Sequence, residues 1–341
     1  YTCIIHICEQ NKTNVKCRRD VTDTNRDQDR VKLLADIAEM YFMEGKNQSQ
    51  IARTVGMTRS NISRLLKEAR ETGIVKIQIN RPHNENHALA QKLAERFNLI
   101  NARVIDVGHN QQILPKIGQA AAEELVKYLN PGSILGTTWG TAVSATVDQV
   151  DVKTPIPEIK IVQLLGAQGA HIKEYDGHAV VRRLEEKFGA EGIYFHAPFF
   201  VEDSQMADLI MKSKSIDETL QLAAQADVAL LGVGSIEIDH SSYFLAGYIS
   251  KEEILSIQER GVVGDVCAKF YDSRGNLIDH DLKERMIGIP TQILKNIPVR
   301  LGVAGGLAKV DPIIGALKGN FINVLVTDTS AAIEVLKRSQ V

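Results

Sequence analysis

The sequence predicts an α/β protein in two parts: an N-terminal winged helix-turn-helix and a C-terminal doubly wound, Rossmann-like domain several times larger. Three observations predict it. Residues 30–73 carry helix-period apolar stripes punctuated by glycines, and after about residue 84 short apolar runs alternate with helical stretches. The charge is also divided: the net −2 of the 341-residue chain conceals +4 over residues 30–80 and −6 over 81–341. A basic module attached to an acidic body is the asymmetry expected where one part meets nucleic acid. The length itself suits two domains, one of them large.

Residues 1–29 are expected to be a disordered leader outside the fold. They end in polar residues and show no sustained periodicity, and their basic residues follow the apolar stretch, where a signal peptide has them first. Cys3, Cys8 and Cys17 match no zinc spacing, and with Cys267 they form no disulfide framework, which favours a cytoplasmic setting. No apolar run approaches the roughly 20 residues of a membrane span, so no membrane partner is expected.

Within 30–44, Val31, Leu34, Ile37, Ala38, Tyr41 and Phe42 fall on one helical face that ends at Gly45. A short second helix buries Ile51, Ala52 and Val55. Gly56 then permits a tight turn, and Thr58 caps a third helix whose buried stripe is Ile62, Leu65, Leu66 and Ala69. Thr58, Arg59, Ser60, Asn61, Ser63, Arg64 and Lys67 crowd the other side, as in a recognition helix. There Arg reads guanine, Asn reads adenine, and hydroxyls or lysines hold phosphate. Lys67, Arg70 and Lys76 would add contacts to the phosphate backbone. The alternating run at 74–80 is expected to be the wing. The competing reading is a generic three-helix module that binds protein, against which spacing, turn glycine and local charge all weigh.

The body reads as buried parallel strands, SILGTTWG, KIVQLLG, DVALLGVG, VRLGVAG and NVLVTD, with helices at 114–129, 176–189, 215–227 and 311–319. Several strands end in small or hydroxyl-bearing residues. These are Gly136, Thr137, Thr138, Trp139, Gly140 and Thr141; Gly234 and Ser235; and Gly305 followed by Lys309. Strand C-termini of an open α/β sheet face one crevice, and loops presenting N–H and O–H donors at helix N-termini suit an anion. Asp265 and Asp328 are candidate acceptors for sugar hydroxyls. Trp139 reads equally as ligand contact or core. His171, His178 and His196 show no metal spacing, and neither a metal nor a cofactor is expected. No acid/base pair is evident, although a sugar-phosphate isomerase or deaminase would share such a pocket.

The strings QSQIARTVGMTRSNISRLLKEARETGIVKIQI (48–79), AQADVALLGVGSIE (224–237), GYIS (247–250), GVVGDVCAKFYDSRGNLI (261–278) and PVRLGVAGGLAKVDPIIGALKGNFINVLVTDTSAA (298–332) resemble the SorC family of bacterial transcriptional regulators. The resemblance covers roughly residues 30–337, and its tail is most similar to Lsr-type regulators that answer to an autoinducer phosphate. It implies a sugar-phosphate-isomerase-type effector domain (residues 84–341), related in fold to glucosamine-6-phosphate deaminase and ribose-5-phosphate isomerase. It further implies a phosphosugar effector, operator DNA as partner, a repressor's role, and a homodimer or homotetramer. On that resemblance the loop Gly136–Thr141 and Lys309 hold the phosphate, with Gly234, Ser235 and Asp265 near the sugar.

Overall fold

A computed structural model describes residues 21–75, 84–108, 112–152, 156–167 and 175–339, which fall into two units divided between Arg81 and Pro82. Among its described residues the first unit forms three helices: α1 (Val21–Phe42), α2 (Gln48–Val55) and α3 (Arg59–Glu71). Leu34, Ile37 and Ala38 of α1, Ile51 and Ala52 of α2, and Ile62, Leu65, Leu66 and Ala69 of α3 form its buried core. Burying side chains of this size contributes roughly 1.5–3 kcal/mol each for the larger ones. Those on α3 fix which of its faces remains outside.

Two expectations need correction here. The leader does not extend to residue 29, because α1 begins at Val21. An established helix adds turns at little cost, and a polar extension leaves no apolar period to detect. Val31, Tyr41 and Phe42 were expected on the buried face, yet they are 53%, 36% and 41% exposed. Among the described residues the buried positions of α1 span only Leu34 to Ala38, so Val31 lies before them and Tyr41 and Phe42 after them. Of the expected wing, Ile74 and Val75 pack on the helical core, with the Val75 N–H donating to the Ala69 carbonyl at 2.8 Å. The remainder, from residue 76, lies outside the described residues, as do residues 1–20 and His171.

In the second unit the chain runs α4 (His87–Phe97), β1 (Asn101–Ile105), α5 (Ile113–Lys127), β2 (Ile134–Thr137), α6 (Thr141–Gln149), β3 (Lys160–Gln163), α7 (Gly177–Phe188) and β4 (Glu191–Ile193). It continues through α8 (Ser204–Met211), α9 (Lys214–Ala223), β5 (Val228–Ser235), α10 (Ser242–Leu245), α11 (Lys251–Glu259), β6 (Gly264–Val266) and β7 (Lys269–Tyr271). It closes with α12 (Thr291–Asn296), β8 (Val299–Val303), α13 (Val310–Lys318), β9 (Val324–Asp328) and α14 (Thr329–Arg338). The five expected strands are β2, β3, β5, β8 and β9. The four expected helices are α5, α7, α9 and α13.

Seven strands pair in parallel in the order β1-β9-β8-β5-β2-β3-β4. The chain builds toward β4 on one side of β2 and toward β9 on the other side of β5, so the topological switch lies between β2 and β5. Helices cover both faces. Along β5, Val228 and Leu230 enter one core cluster while Ala229 and Leu231 enter the other. That is why these strands read as continuous apolar runs instead of alternating ones. β5 overruns the sheet and pairs antiparallel with β6, which turns back into β7.

Candidate functional site

In the first unit, Asn47 opens α2 with a capping box: its side chain accepts from the Ser49 and Gln50 N–H groups, and Gln50 reciprocates. Gly56 ends α2 at φ +69°, in the left-handed region that glycine adopts without strain. Thr58 then caps α3 by accepting from the Asn61 N–H at 3.2 Å. Because the buried stripe of α3 faces the core, Thr58, Arg59, Ser60, Asn61, Ser63, Arg64 and Lys67 are all exposed together. Arg30 is engaged elsewhere, in a two-bond ion pair with Glu68 (Nε–Oε1 3.0 Å), which holds the Glu68 carboxyl below its ordinary range.

In the second unit a crevice opens at the C-terminal ends of β2, β5 and β8, at the switch point. Thr138, Trp139, Gly140 and Thr141 line it from the β2 end, Gly232, Val233 and Gly234 from β5, and Val303, Ala304, Gly305 and Lys309 from the β8 end. Asp265, Cys267 and Tyr243 close it opposite. Thr138 ties the two strands at the switch, its N–H donating to the Leu230 carbonyl at 3.1 Å. Gly140 precedes α6 at φ +130° and supplies no side-chain cap, so the first-turn N–H groups of α6 meet no capping side chain. Trp139 is buried, donates Nε1–H to the Gly166 carbonyl at 3.1 Å, and stands edge-on to Phe199 and Tyr243. It is both core and crevice wall.

Not every expected residue arrives there. Gly136 and Thr137 lie within β2, and Thr137 donates its hydroxyl to the Thr138 carbonyl instead of lining the crevice. Ser235 is buried and accepts from the Glu237 N–H at 3.2 Å. Asp328, considered for sugar hydroxyls, caps α14 through the Ser330 and Ala331 N–H groups and also accepts from the Gly306 N–H. It organises the β8 loop from behind.

The electrostatics centre on two groups. Asp265 is 4% exposed, and burial pushes its carboxyl above the ordinary aspartate range against the pull of Tyr243 and Lys309. Lys309 is partly buried; desolvation lowers it below the ordinary lysine range, while Asp265 and Glu237 draw it back up. Among the described residues no ion pair joins the two, which leaves an acceptor and a cation facing one crevice. Gly234 makes this possible, since a Cβ there would stand 1.9 Å from Asp265 Oδ1. Burial also pushes the Cys267 thiol up to about 12, so it is a neutral wall.

The β6–β7 turn, Cys267–Ala268, went unrecognised in the sequence because it lacks the Asn-Gly signal of a two-residue hairpin. Both residues are left-handed, at φ +52° and +58°. The strain has a use: the Ala268 N–H donates to Asp265 Oδ2 at 3.1 Å. Replacing Ala268 with glycine is expected to stabilise the fold by about 0.5–1 kcal/mol, the relieved strain exceeding glycine's extra unfolded-chain entropy. An unchanged or lowered melting temperature would refute this.

With the geometry in place, comparison with known proteins is informative. A family model described as "Putative sugar-binding domain" matches residues 81–337. The sorbitol operon regulator of Klebsiella pneumoniae is 33% identical over 312 residues, covering 91% of this chain and 99% of that protein. Its full-length crystal structure superposes with a TM-score of 0.69 over 90% of this chain and 99% of that one. The chain belongs to the SorC family of transcriptional regulators. Other regulators that it resembles are the transcriptional regulator LsrR of Escherichia coli (strain SMS-3-5 / SECEC), 32% identical over 89% of this chain and 94% of that protein, and the deoxyribonucleoside regulator of Bacillus subtilis (strain 168), 28% identical over 90% and 97%. The SorC-family sugar-binding domain therefore coincides with the unit that carries the crevice, and the helix-turn-helix lies outside it.

Proposed function

We propose that this regulator is a repressor that binds operator DNA through α3 and is controlled by a phosphorylated sugar or polyol in the crevice at the β2/β5 switch point. The observation that carries the reading is the pairing of Lys309 and the uncapped first turn of α6 with Asp265. One end suits a phosphate and the other a hydroxyl. Named relatives support the class: one is a sorbitol operon regulator, another a deoxyribonucleoside regulator. The effector acts by binding DNA-competent and DNA-incompetent states with different affinity, so DNA and effector affinities are reciprocally coupled. The protein works in the cytoplasm as a symmetric homodimer or homotetramer, presenting paired recognition helices to a palindromic site. A binding role without turnover is supported by the relatives, which are named as regulators.

On the DNA side, Arg64→Ala is expected to weaken operator binding by about 1–3 kcal/mol and relax selectivity at one base pair. Lys67→Ala should weaken all sequences alike and flatten the salt dependence. Fluorescence anisotropy over a salt series separates the two, and unaltered affinity in both variants would remove α3 from the interface. On the effector side, a panel of sugar and polyol phosphates is screened by thermal shift, since a ligand of the folded state alone raises its apparent stability. A compound that protects the protein and also dissociates operator supports the proposal. Turnover of any compound would revive an enzyme reading.

A further inference from the structure

Tyr243 lies outside every motif that marked the crevice, yet it is the residue that orients Asp265. It is 5% exposed, on the short helix α10, and its ring is fixed by stacking on Phe199 (centroids 5.4 Å apart, planes 9° apart) and by edge contact with Trp139 at 5.9 Å. That packing aims its hydroxyl at Asp265 Oδ2, to which it donates a short hydrogen bond. The Ala268 N–H donates to the same oxygen at 3.1 Å. Two donors occupy both lone-pair directions of Oδ2. The other oxygen, Oδ1, is buried over Gly234 and has no hydrogen-bond partner among the described residues.

The geometry points to Tyr243 as the positioning and specificity-determining residue of the crevice. By saturating one oxygen of Asp265, it leaves the other, which lies over the crevice-lining Gly234, as the acceptor for the occupant, so the crevice selects a hydroxyl-bearing anion over a bare one. This rests on the crevice being the effector site, as proposed above. A carboxyl group whose Oδ2 is already taken twice can carry a proton only on Oδ1, and there it would turn from acceptor to donor. The tyrosine hydroxyl opposes that change because it favours the ionised form, counteracting the burial that raises the Asp265 pKa. Removing it makes the carboxyl easier to protonate and the open oxygen a poorer acceptor. The aromatic wall would be untouched.

The test uses the full chain and the variant Tyr243→Phe, which keeps the ring. One arm needs no ligand: melting temperature against pH. Both proteins lose stability as pH rises through the raised pKa of Asp265, and the variant, with that pKa higher still, loses more. The gap between them should widen with rising pH and then level off. In an Asp265→Asn background the widening should vanish, which keeps the test decisive if Tyr243→Phe alone folds poorly. A gap constant with pH would mean a merely structural hydrogen bond and would overturn the inference.

The second arm measures thermal protection by sorbitol 6-phosphate and by inorganic phosphate. Tyr243→Phe is expected to weaken the polyol phosphate about tenfold and leave inorganic phosphate unchanged. Equal losses for both probes would overturn the selectivity. If neither probe protects the wild type while the pH gap still widens, the effector reading of the crevice fails and the positioning of Asp265 by Tyr243 stands.

Discussion

Gly234→Ala is expected to weaken effector binding strongly while the free protein still binds operator. A methyl group at that position would stand 1.9 Å from Asp265 Oδ1 and 2.9 Å from Cγ, distances that no adjustment of a few tenths of an ångström resolves. Asp265 cannot simply turn aside, because Tyr243 and the Ala268 N–H hold its other oxygen. The strand or the β6–β7 hairpin has to move, at a cost of about 1–3 kcal/mol in stability. With the acceptor displaced, loss of a hydrogen bond to a charged group weakens effector binding by on the order of 100-fold. Operator binding survives, since the helical core around α3 draws its residues from 33–75, far in sequence from Gly234. Calorimetry with the effector and anisotropy with operator read the two activities separately. Gly234→Ala combined with Asp265→Ala should regain stability without regaining binding, a coupling that a double-mutant cycle quantifies. If Gly234→Ala keeps wild-type effector affinity, Asp265 is not part of the site.

Much of this arrangement is legible in the sequence because it follows from local rules. Apolar runs bounded by glycine announce β2, β3, β5, β8 and β9, and parallel strands bring their following loops to one end. Thr138, Trp139, Gly140, Gly234, Gly305 and Lys309 meet for that reason. The stripe Ile62, Leu65, Leu66 and Ala69 likewise fixes the exposed face of α3. What escaped depends on contacts distant in the chain. Tyr243 sits on a four-residue helix with no period to detect, and its importance arises from a partner 22 positions away. The Cys267–Ala268 turn is held by Asp265 against its own backbone preference, so turn propensity cannot announce it. Asp328 carries a capping signal beside its reading as a hydroxyl acceptor. An aspartate followed by Thr-Ser-Ala-Ala after a strand is an N-cap pattern, and capping is its role. Gly136 and Thr137 show the limit of loop reading: the strand continues one residue further than a glycine suggests, leaving both inside the sheet.

Lys309→Met is expected to move stability and effector binding in opposite directions. The ammonium is partly buried, and desolvation lowers its pKa despite the attraction of Asp265 and Glu237, so in the empty crevice its charge is held at a cost. Methionine keeps the length and the apolar stem without the charge. The ligand-free protein should therefore become more stable, by on the order of 1 kcal/mol, or roughly 2–4 °C in melting temperature. A phosphorylated effector loses its countercharge and should bind about 10- to 100-fold more weakly, whereas the same sugar without phosphate should be little affected. The wild type adds a pH signature. Affinity should rise as the phosphate takes its second charge near pH ~6. It should fall again as Lys309 deprotonates, at a pH below that of an exposed lysine because its pKa is depressed. In Lys309→Met the rising limb persists and the falling limb disappears. A falling limb that persists in the variant would assign the countercharge to another group, and a lowered melting temperature would mean that Lys309 serves the fold instead of the ligand.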